Sequence, residues 1–502
     1  MKIAIIGAGL SGSSVLRSII THSNFKNDDQ IDVFELRELL GVGLPYDIDD
    51  ESIMLNVSPD ILSYDQSNPN DFVEWLHENY EEPYNFEDLV SRPKYGRYLA
   101  ERFSPYFNHK QVTHQQIEVE DIRVLDKETK NILDSAKKDA YCYQLKTSDG
   151  WSDTVYDAVF FSVGHPPYAD YYNLVGVNNY VHNPYPMKEV LGKLSRDERI
   201  GIIGSGASGI DLMRFLNLNY DLKEPITYYV PSGEIFNFPN IPYEKDDFHC
   251  TFSMDWIEEE KDARTGKIPL EKIVDTFVSD IKHGGVDVSE VYERYKADDL
   301  NAMRHALESN DQELALVHLY SGRLVHLLPY LFNALSGKDK QRYLKEYHGK
   351  FLFFKARVPN KTFKWLFELL DEGKVRLVEG ISEVNPQDDG TFEVVADQTE
   401  TTDLMINATG FDTDLENVSK HSPLIRNLYE QEFILPHKNG KFVLVDWPEG
   451  HVINQRFGAM KNVFFFGLLI GGTQYENNDA QLTMRQAVNS ANWFMNNREK
   501  FN

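Results

Sequence analysis

The chain has only two cysteines, Cys142 and Cys250, in 502 residues. They lie far apart and form no C-x-x-C pair, so neither a structural zinc site nor a dithiol relay is written here. Two buried thiols in a reducing cytosol fit this usage. Basic charge is scarce as well: 51 Lys and Arg against 79 Asp and Glu leave a formal net charge of −28. Such an acidic chain repels phosphate backbones and anionic headgroups, so neither nucleic acid nor a membrane surface is an expected partner. It also requires that an anionic cofactor be held by backbone N–H groups and helix ends rather than by a basic field. Long hydrophobic runs are missing, and the longest, Val463 to Ile470, is too short to span a bilayer. A core strand from Lys2 to Ile6 leaves no room for a signal peptide, and the chain reads as cytoplasmic.

What is present is a globular composition, 41% hydrophobic and 26% charged, at a length suited to two or three domains. The most informative feature is an internal echo. Lys2-Ile-Ala-Ile-Ile-Gly-Ala-Gly-Leu-Ser-Gly12 and Arg199-Ile-Gly-Ile-Ile-Gly-Ser-Gly-Ala-Ser-Gly209 align without a gap. Each copy is a β-branched run, a glycine turn and an amphipathic helix, the opening of a dinucleotide fold. Further strands run into glycine at Val155–Gly164, Asp403–Gly410 and Asn462–Gly467, the last followed by a helical stretch from Asp479 to about Phe494. Between roughly 250 and 370 the pattern is helical, with runs such as Leu300–Leu307 and Phe363–Leu370.

In the first motif Gly7 makes the tight turn, Gly9 lets backbone approach a pyrophosphate, and Gly12 lets helix and strand pack closely. The next strand ends on Glu35, an acid suited to both hydroxyls of an adenosine ribose. The second motif places Gly204, Gly206 and Gly209 alike. Its following strand ends in Pro231-Ser-Gly233, with no acid for a ribose and no arginine for a 2′-phosphate. The choice between NADH and NADPH therefore stays open.

The order of two G-x-G-x-x-G motifs and a late Ala-Thr-Gly resembles the two-dinucleotide flavoproteins, most nearly the flavin-containing and N-hydroxylating (class B) monooxygenases. Four segments resemble the FAD-NAD(P)-binding family: Gly41-Val-Gly-Leu-Pro-Tyr46, Met54-Leu-Asn-Val57, Arg92-Pro-Lys-Tyr-Gly-Arg-Tyr-Leu99 and Val163-Gly-His-Pro-Pro167. The resemblance implies an α/β fold with two Rossmann-like domains. A discontinuous FAD domain (1–168 and 374–502) would be interrupted by an NAD(P) domain (169–373) carrying a helical insertion at about 234–350. Gly7, Gly9, Leu10, Ser11, Gly12 and Glu35 would hold the ADP half of FAD. Val57, Gly164, Gly410 and Gly467 would line the rest of that site, with Asn56 beside the flavin. Gly204, Gly206, Ser208 and Gly209 would hold NAD(P)H. The helix after Asp479 would aim its N-terminus at the isoalloxazine.

The implied enzyme is an FAD-dependent NAD(P)H oxidoreductase, a monooxygenase that uses O2 to hydroxylate a small amine or amino acid. Asn56 is its candidate catalytic residue, because an amide donates and accepts hydrogen bonds at once; the alternative is an asparagine that caps a turn before Pro59. The runner-up is a flavin oxidoreductase without oxygen insertion, and a third reading is a non-catalytic flavin- or NAD-responsive regulator. A homo-oligomer is compatible with the sequence. The monooxygenase fingerprint has only a loose echo around Gly176 and His182, whose spacing is off by two residues. His182 is expected at a surface, and His165 is expected to shape a turn. Asp246-Asp247 and Glu258-Glu-Glu260 are expected on solvated faces.

Overall fold

The structure, a computed structural model, describes residues 1–80, 89–136, 141–232, 236–245, 248–296, 300–437, 440–476 and 478–501. It divides into two compact units, Met1–Pro167 with Phe411–Asn502, and Tyr168–Gly410.

In the first unit Lys2–Ile6 is an inner strand of a six-stranded sheet. The order is His451–Asn454, Gly458–Phe465, Ala158–Phe161, Lys2–Ile6, Gln30–Phe34 and Val112–Gln115. All neighbours are parallel except the first pair. An inner parallel strand is covered on both faces, which is why Ile3-Ala-Ile-Ile6 is apolar without a break. Alternate residues take opposite sides. Ile3 and Ile5 pack with Val15, Ala487, Ala491 and Phe494 of the helices Leu10–Thr21 and Ala480–Asn497. Ala4 and Ile6 pack against Tyr143, Leu145 and Tyr156 of a three-stranded antiparallel meander, Val119–Asp126, Tyr141–Thr147 and Gly150–Tyr156. The apolar run read as one strand from Val155 is thus two. Asp157 separates them, donating its N–H to Lys2 O at 2.7 Å and accepting the Lys2 N–H on its carboxylate at 2.9 Å.

In the second unit a five-stranded parallel sheet runs in the order Val375–Glu379, Ile226–Val230, Ile200–Ile203, Leu404–Asn407 and Tyr180–Val181. A helical insertion leaves it after Phe238–Pro239 and returns at Arg357–Val358, two short strands that pair in parallel. A second antiparallel meander, Glu383–Pro386, Phe392–Val395 and Thr399–Thr402, feeds Leu404–Asn407.

The internal echo therefore extends well beyond the two motifs. In both units the motif strand lies between the strand that follows its helix and the strand that follows a meander. The expected α/β architecture, with a discontinuous unit and an inserted one, is borne out. The return to the first unit comes at 411 rather than 374. Val375–Glu379 pairs with Ile226–Val230, and Leu404–Asn407 with Ile200–Ile203, so both strands complete the second sheet. No described helix is long and apolar enough to cross a membrane.

Candidate functional site

At both glycine turns the backbone leaves no room for a side chain on the first glycine. Gly7 and Gly204 each have φ of +96°, a conformation that favours glycine. A Cβ on Gly7 would stand 2.1 Å from Ser162 O, and one on Gly204 would stand 2.7 Å from Ala408 O. Ser162 and Ala408 each directly follow the strand fed by a meander. The third glycines pack back on the first: a Cβ at Gly12 would be 2.0 Å from Gly7 O, and at Gly209, 2.9 Å from Gly204 O. The helices that follow, Leu10–Thr21 and Ala207–Asn219, start from Gly9 and Gly206 with no side-chain cap and no acid in the first turn. Their first N–H groups face the strand ends with the positive pole of the helix dipole, the arrangement that receives a phosphate.

The first turn is enclosed. Gly43, on the loop after Glu35, approaches so closely that a Gly9 Cβ would be 3.3 Å from Gly43 Cα, and Gly41 donates its N–H to Ala8 O at 2.9 Å. The sequence shows these glycines, but their approach to Gly9 is a long-range contact that no local pattern reveals. Glu35 accepts the Ala8 N–H at 3.1 Å and is held by Arg37, whose Nε is also 3.1 Å away. Burial alone would raise the Glu35 carboxyl; the Arg37 guanidinium and the Ala8 N–H outweigh it and keep the group below its ordinary value. Arg37 also reaches Asp47 at 3.3 Å. Arg37, two residues after the predicted acid, is the site residue the sequence reading missed. Leu10 and Ser11 open the helix, both buried.

Beside this turn, Leu10, Val42, Leu55, Tyr95 and Met484 share one apolar cluster, with Tyr46 and Ala480 packed against it. That cluster brings the Leu55–Val57 bend to the beginning of the motif helix and of the C-terminal helix. Leu55 donates its N–H to Val90 O at 2.8 Å, and Arg92 Nε donates to Met54 O at 3.1 Å. Asn56 and Val57 project outward and are exposed. Asn56 makes no hydrogen bond among the described residues and caps no turn; the short helix before Leu62 starts from Ser58.

Gly164 and Gly467 follow adjacent parallel strands, and a Gly467 Cβ would be 3.2 Å from Gly164 O. Next to them His165 stacks on Phe411, centroids 4.4 Å apart, and its Nε2 lies 3.4 Å from Asn478 Oδ1. Burial lowers the His165 imidazole, the Arg92 charge adds to this, and the Asn478 contact opposes it. Burial likewise pushes Tyr46 up to about 12, with Arg92 and Asp479 acting on it from either sign. Arg92, Tyr46, His165 and Asn478 thus gather at one end of the first sheet. The C-terminal helix starts as expected, at Ala480, but Asp479 caps it by accepting the Leu482 N–H at 2.8 Å. That carboxylate already answers part of the positive pole expected to face a flavin.

Gly410, expected in the FAD wall, belongs to the second unit. It stands two residues after Ala408 just as Gly164 stands two after Ser162, so it is the second unit's counterpart of Gly164. In the same unit Ser208 Oγ is 3.3 Å from Tyr168 Oη, and Tyr228 Oη donates to Gly209 O at 2.7 Å. A Gly206 Cβ would meet nothing within 4 Å among the described residues. His182 is half-buried after the Tyr180–Val181 strand, with Asn407 Nδ2 donating to its carbonyl at 3.2 Å. Glu258 and Glu259 are exposed as expected, while Asp246 and Asp247 lie outside the described residues. Cys142 and Cys250 sit in different units, both free, with burial raising each thiol.

Residues 4–166 match the model of a family described as FAD-NAD(P)-binding. That span covers the first turn, Glu35, Asn56 and Gly164. No curated protein matches the chain by sequence. Solved structures share the fold over nearly its whole length. L-lysine 6-monooxygenase from Pseudomonas syringae is 13% identical, with 99% of each chain covered and a TM-score of 0.60. The FAD-bound cadaverine monooxygenase of the desferrioxamine pathway from Erwinia amylovora is 11% identical, covering 98% of this chain and 93% of that one, at 0.57. The bacillithiol disulfide reductase from Staphylococcus aureus is 11% identical, with 99% of each chain covered, at 0.50.

Proposed function

We propose that the protein is an FAD-dependent oxidoreductase that takes electrons from NAD(P)H and uses O2 to hydroxylate the nitrogen of a small amine or amino acid. The observation that carries the reading is the duplicated phosphate cradle. Each copy has a first glycine that admits no Cβ and a glycine-started helix with no acid in its first turn. The first cradle fits FAD. Gly7, Gly9, Leu10, Ser11 and Gly12 would face the pyrophosphate, and Glu35, steadied by Arg37, would take the ribose hydroxyls. Gly164, Gly467 and Val57 would line the rest of the site. Gly204, Gly206, Ser208 and Gly209 would hold NAD(P)H, with Gly410 in that unit.

Bound FAD would supply hydride acceptance and O2 activation. The chain's own task is to bind, to keep water out and to place hydrogen-bonding groups. Asn56 suits that last role because its exposed amide has no partner among the described residues and offers both a donor and an acceptor. His165, whose imidazole burial keeps neutral, would hold its neighbour Asn478 rather than carry a charge.

One fold hosts several chemistries, so the likeness of fold does not choose between oxygen insertion and plain reduction. A disulfide reductase sends electrons out through a reactive thiol, and reactivity needs the thiolate. Here both thiols are pushed up by burial and lie in separate units, which supports the monooxygenase over the reductase. The deciding experiment counts NAD(P)H consumed, peroxide released and hydroxylated product formed for lysine, ornithine and cadaverine. Product matching NAD(P)H one to one is expected. Peroxide alone, with every substrate, makes the protein an oxidase or reductase.

A further inference from the structure

The second glycine turn lacks the acid that the first one has, and the register of the two units shows what stands there instead. Gly7 donates its N–H to Phe34 O at 2.8 Å, and Gly204 donates to Tyr229 O at 2.9 Å. Phe34 and Tyr229 are therefore equivalent, and so are the residues after them, Glu35 and Val230. Where the first unit sets a carboxylate that accepts the Ala8 N–H, the second sets an apolar side chain that is buried. On the same count Ser232 takes the place of Arg37.

An acid returns to this strand end from another part of the chain. Val230 O accepts the Ile381 N–H at 3.2 Å, which places Gly380 beside the end of Ile226–Val230. A Cβ on Gly380 would stand 3.3 Å from Ser232 Oγ and 3.3 Å from Asp397 Oδ1, so the hydroxyl and the carboxylate flank one point. Gly380 directly follows the edge strand Val375–Glu379 and has no side chain to hold the two apart. Asp397 sits in the hairpin between Phe392–Val395 and Thr399–Thr402, which the Ala396 N–H closes on Gln398 O at 3.3 Å. Ser232 and Asp397 are both exposed, open to a ligand from solvent. Neither side chain has a hydrogen-bond or ion-pair partner among the described residues.

No base competes with this acid at the strand ends. None of the five residues that follow Ile203, Val230 or Glu379 is Lys or Arg. Arg199 and Arg376 stand at strand starts, the opposite end of a parallel sheet, and are already paired with Asp403 at 2.5 Å and Glu400 at 2.6 Å. A carboxylate near the end of this strand accepts hydrogen bonds from the ribose hydroxyls of NADH. A 2′-phosphate in the same place would set like charges against each other, with no arginine to offset them.

We infer that Asp397, assisted by Ser232, selects the coenzyme: it accepts the 2′-hydroxyl of NADH at the second turn and excludes the 2′-phosphate of NADPH. The Ser232 hydroxyl, which can donate or accept, serves the neighbouring ribose hydroxyl. This assignment rests on the proposed function, which gives the second turn to a nicotinamide dinucleotide.

Isothermal titration of the oxidised FAD-loaded enzyme with NAD+ and with NADP+ tests it, because the two ligands differ only in the 2′-phosphate. The wild type is expected to bind NAD+ about tenfold or more tighter, the worth of a charge-assisted hydrogen bond. Asp397→Asn should narrow that ratio from both sides, weakening NAD+ and tightening NADP+, with flavin content and melting temperature unchanged. Adding Ser232→Arg should turn the preference toward NADP+. Asp389→Asn removes the same charge from the other hairpin of this meander, between Glu383–Pro386 and Phe392–Val395, and should leave the ratio as it is. A wild type that binds NADP+ as tightly as NAD+ overturns the assignment. So does an Asp397→Asn protein that keeps the wild-type ratio, or an Asp389→Asn protein that changes it as much as Asp397→Asn does. Binding of neither coenzyme would instead overturn the proposed function on which the assignment rests.

Discussion

At the first glycine turn Gly43 closes over Gly9, and Arg37 clamps Glu35; at the second, nothing among the described residues stands within 4 Å of where a Gly206 side chain would begin. The strand after the second motif's helix ends at Val230 and is followed by Pro231-Ser232, which offers neither acid nor base. The two turns share a backbone and differ in enclosure. An enclosed cradle with a pre-set acid suits a cofactor that stays bound, whereas an open one suits a coenzyme that enters and leaves each cycle. On the proposed reading, the duplicated frame would let one chain serve two dinucleotides without confusing them.

The largest expected effect tests the shared backbone. Gly12→Val sets a side chain where Gly7 O already lies, 2.0 Å from the Cβ. The loss should be on the order of 4 kcal/mol or more, the range of a forced backbone clash. Colourless or insoluble protein is the expected result, read by melting temperature and flavin absorbance. A yellow, stable Gly12→Val protein would contradict the packing described here.

Glu35→Gln sharpens the contrast at the ribose end. The Glu35 carboxyl titrates below its unfolded value, so its contribution is complete above the ordinary carboxylate pKa of about 4.3. That contribution fades as pH falls through the depressed folded value. The side chain is 12% exposed, so solvent screens it little. The variant should be less stable by roughly 1–2 kcal/mol at pH 7. The gap from wild type should close below about pH 4; a gap that does not change with pH would mean that the Arg37 clamp contributes nothing.

Asn56→Ala should affect stability least, by less than about 0.5 kcal/mol, because the side chain is exposed and unbonded among the described residues. Flavin reduction by NAD(P)H should be normal. The expected change is in partition, with a larger share of electrons emerging as hydrogen peroxide. A variant as well coupled as wild type would make Asn56 a surface residue only.

Much of this frame is legible in the sequence, because a glycine turn between a β-branched run and an apolar helix is a local pattern. Lys2–Ile6 and Ile200–Ile203 can both be read that way. What local pattern cannot carry is which sheet a later strand joins. Leu404–Asn407 looks like Ala158–Phe161 because both do the same job, each beside its own motif strand. The family resemblance placed Gly410 in the FAD wall, whereas it stands in the second unit.

The most direct test of the two-cradle account measures flavin-to-protein ratio and anaerobic bleaching by NADPH in Gly9→Val and Gly206→Val side by side. Gly9→Val, whose Cβ would be 3.3 Å from Gly43 Cα, should lose FAD. Gly206→Val, with no described atom within 4 Å of its Cβ, should stay yellow and bleach more slowly at low coenzyme, by about tenfold or more. Full FAD occupancy in Gly9→Val, or an unchanged bleaching rate in Gly206→Val, would contradict the assignment of the two turns to two different dinucleotides.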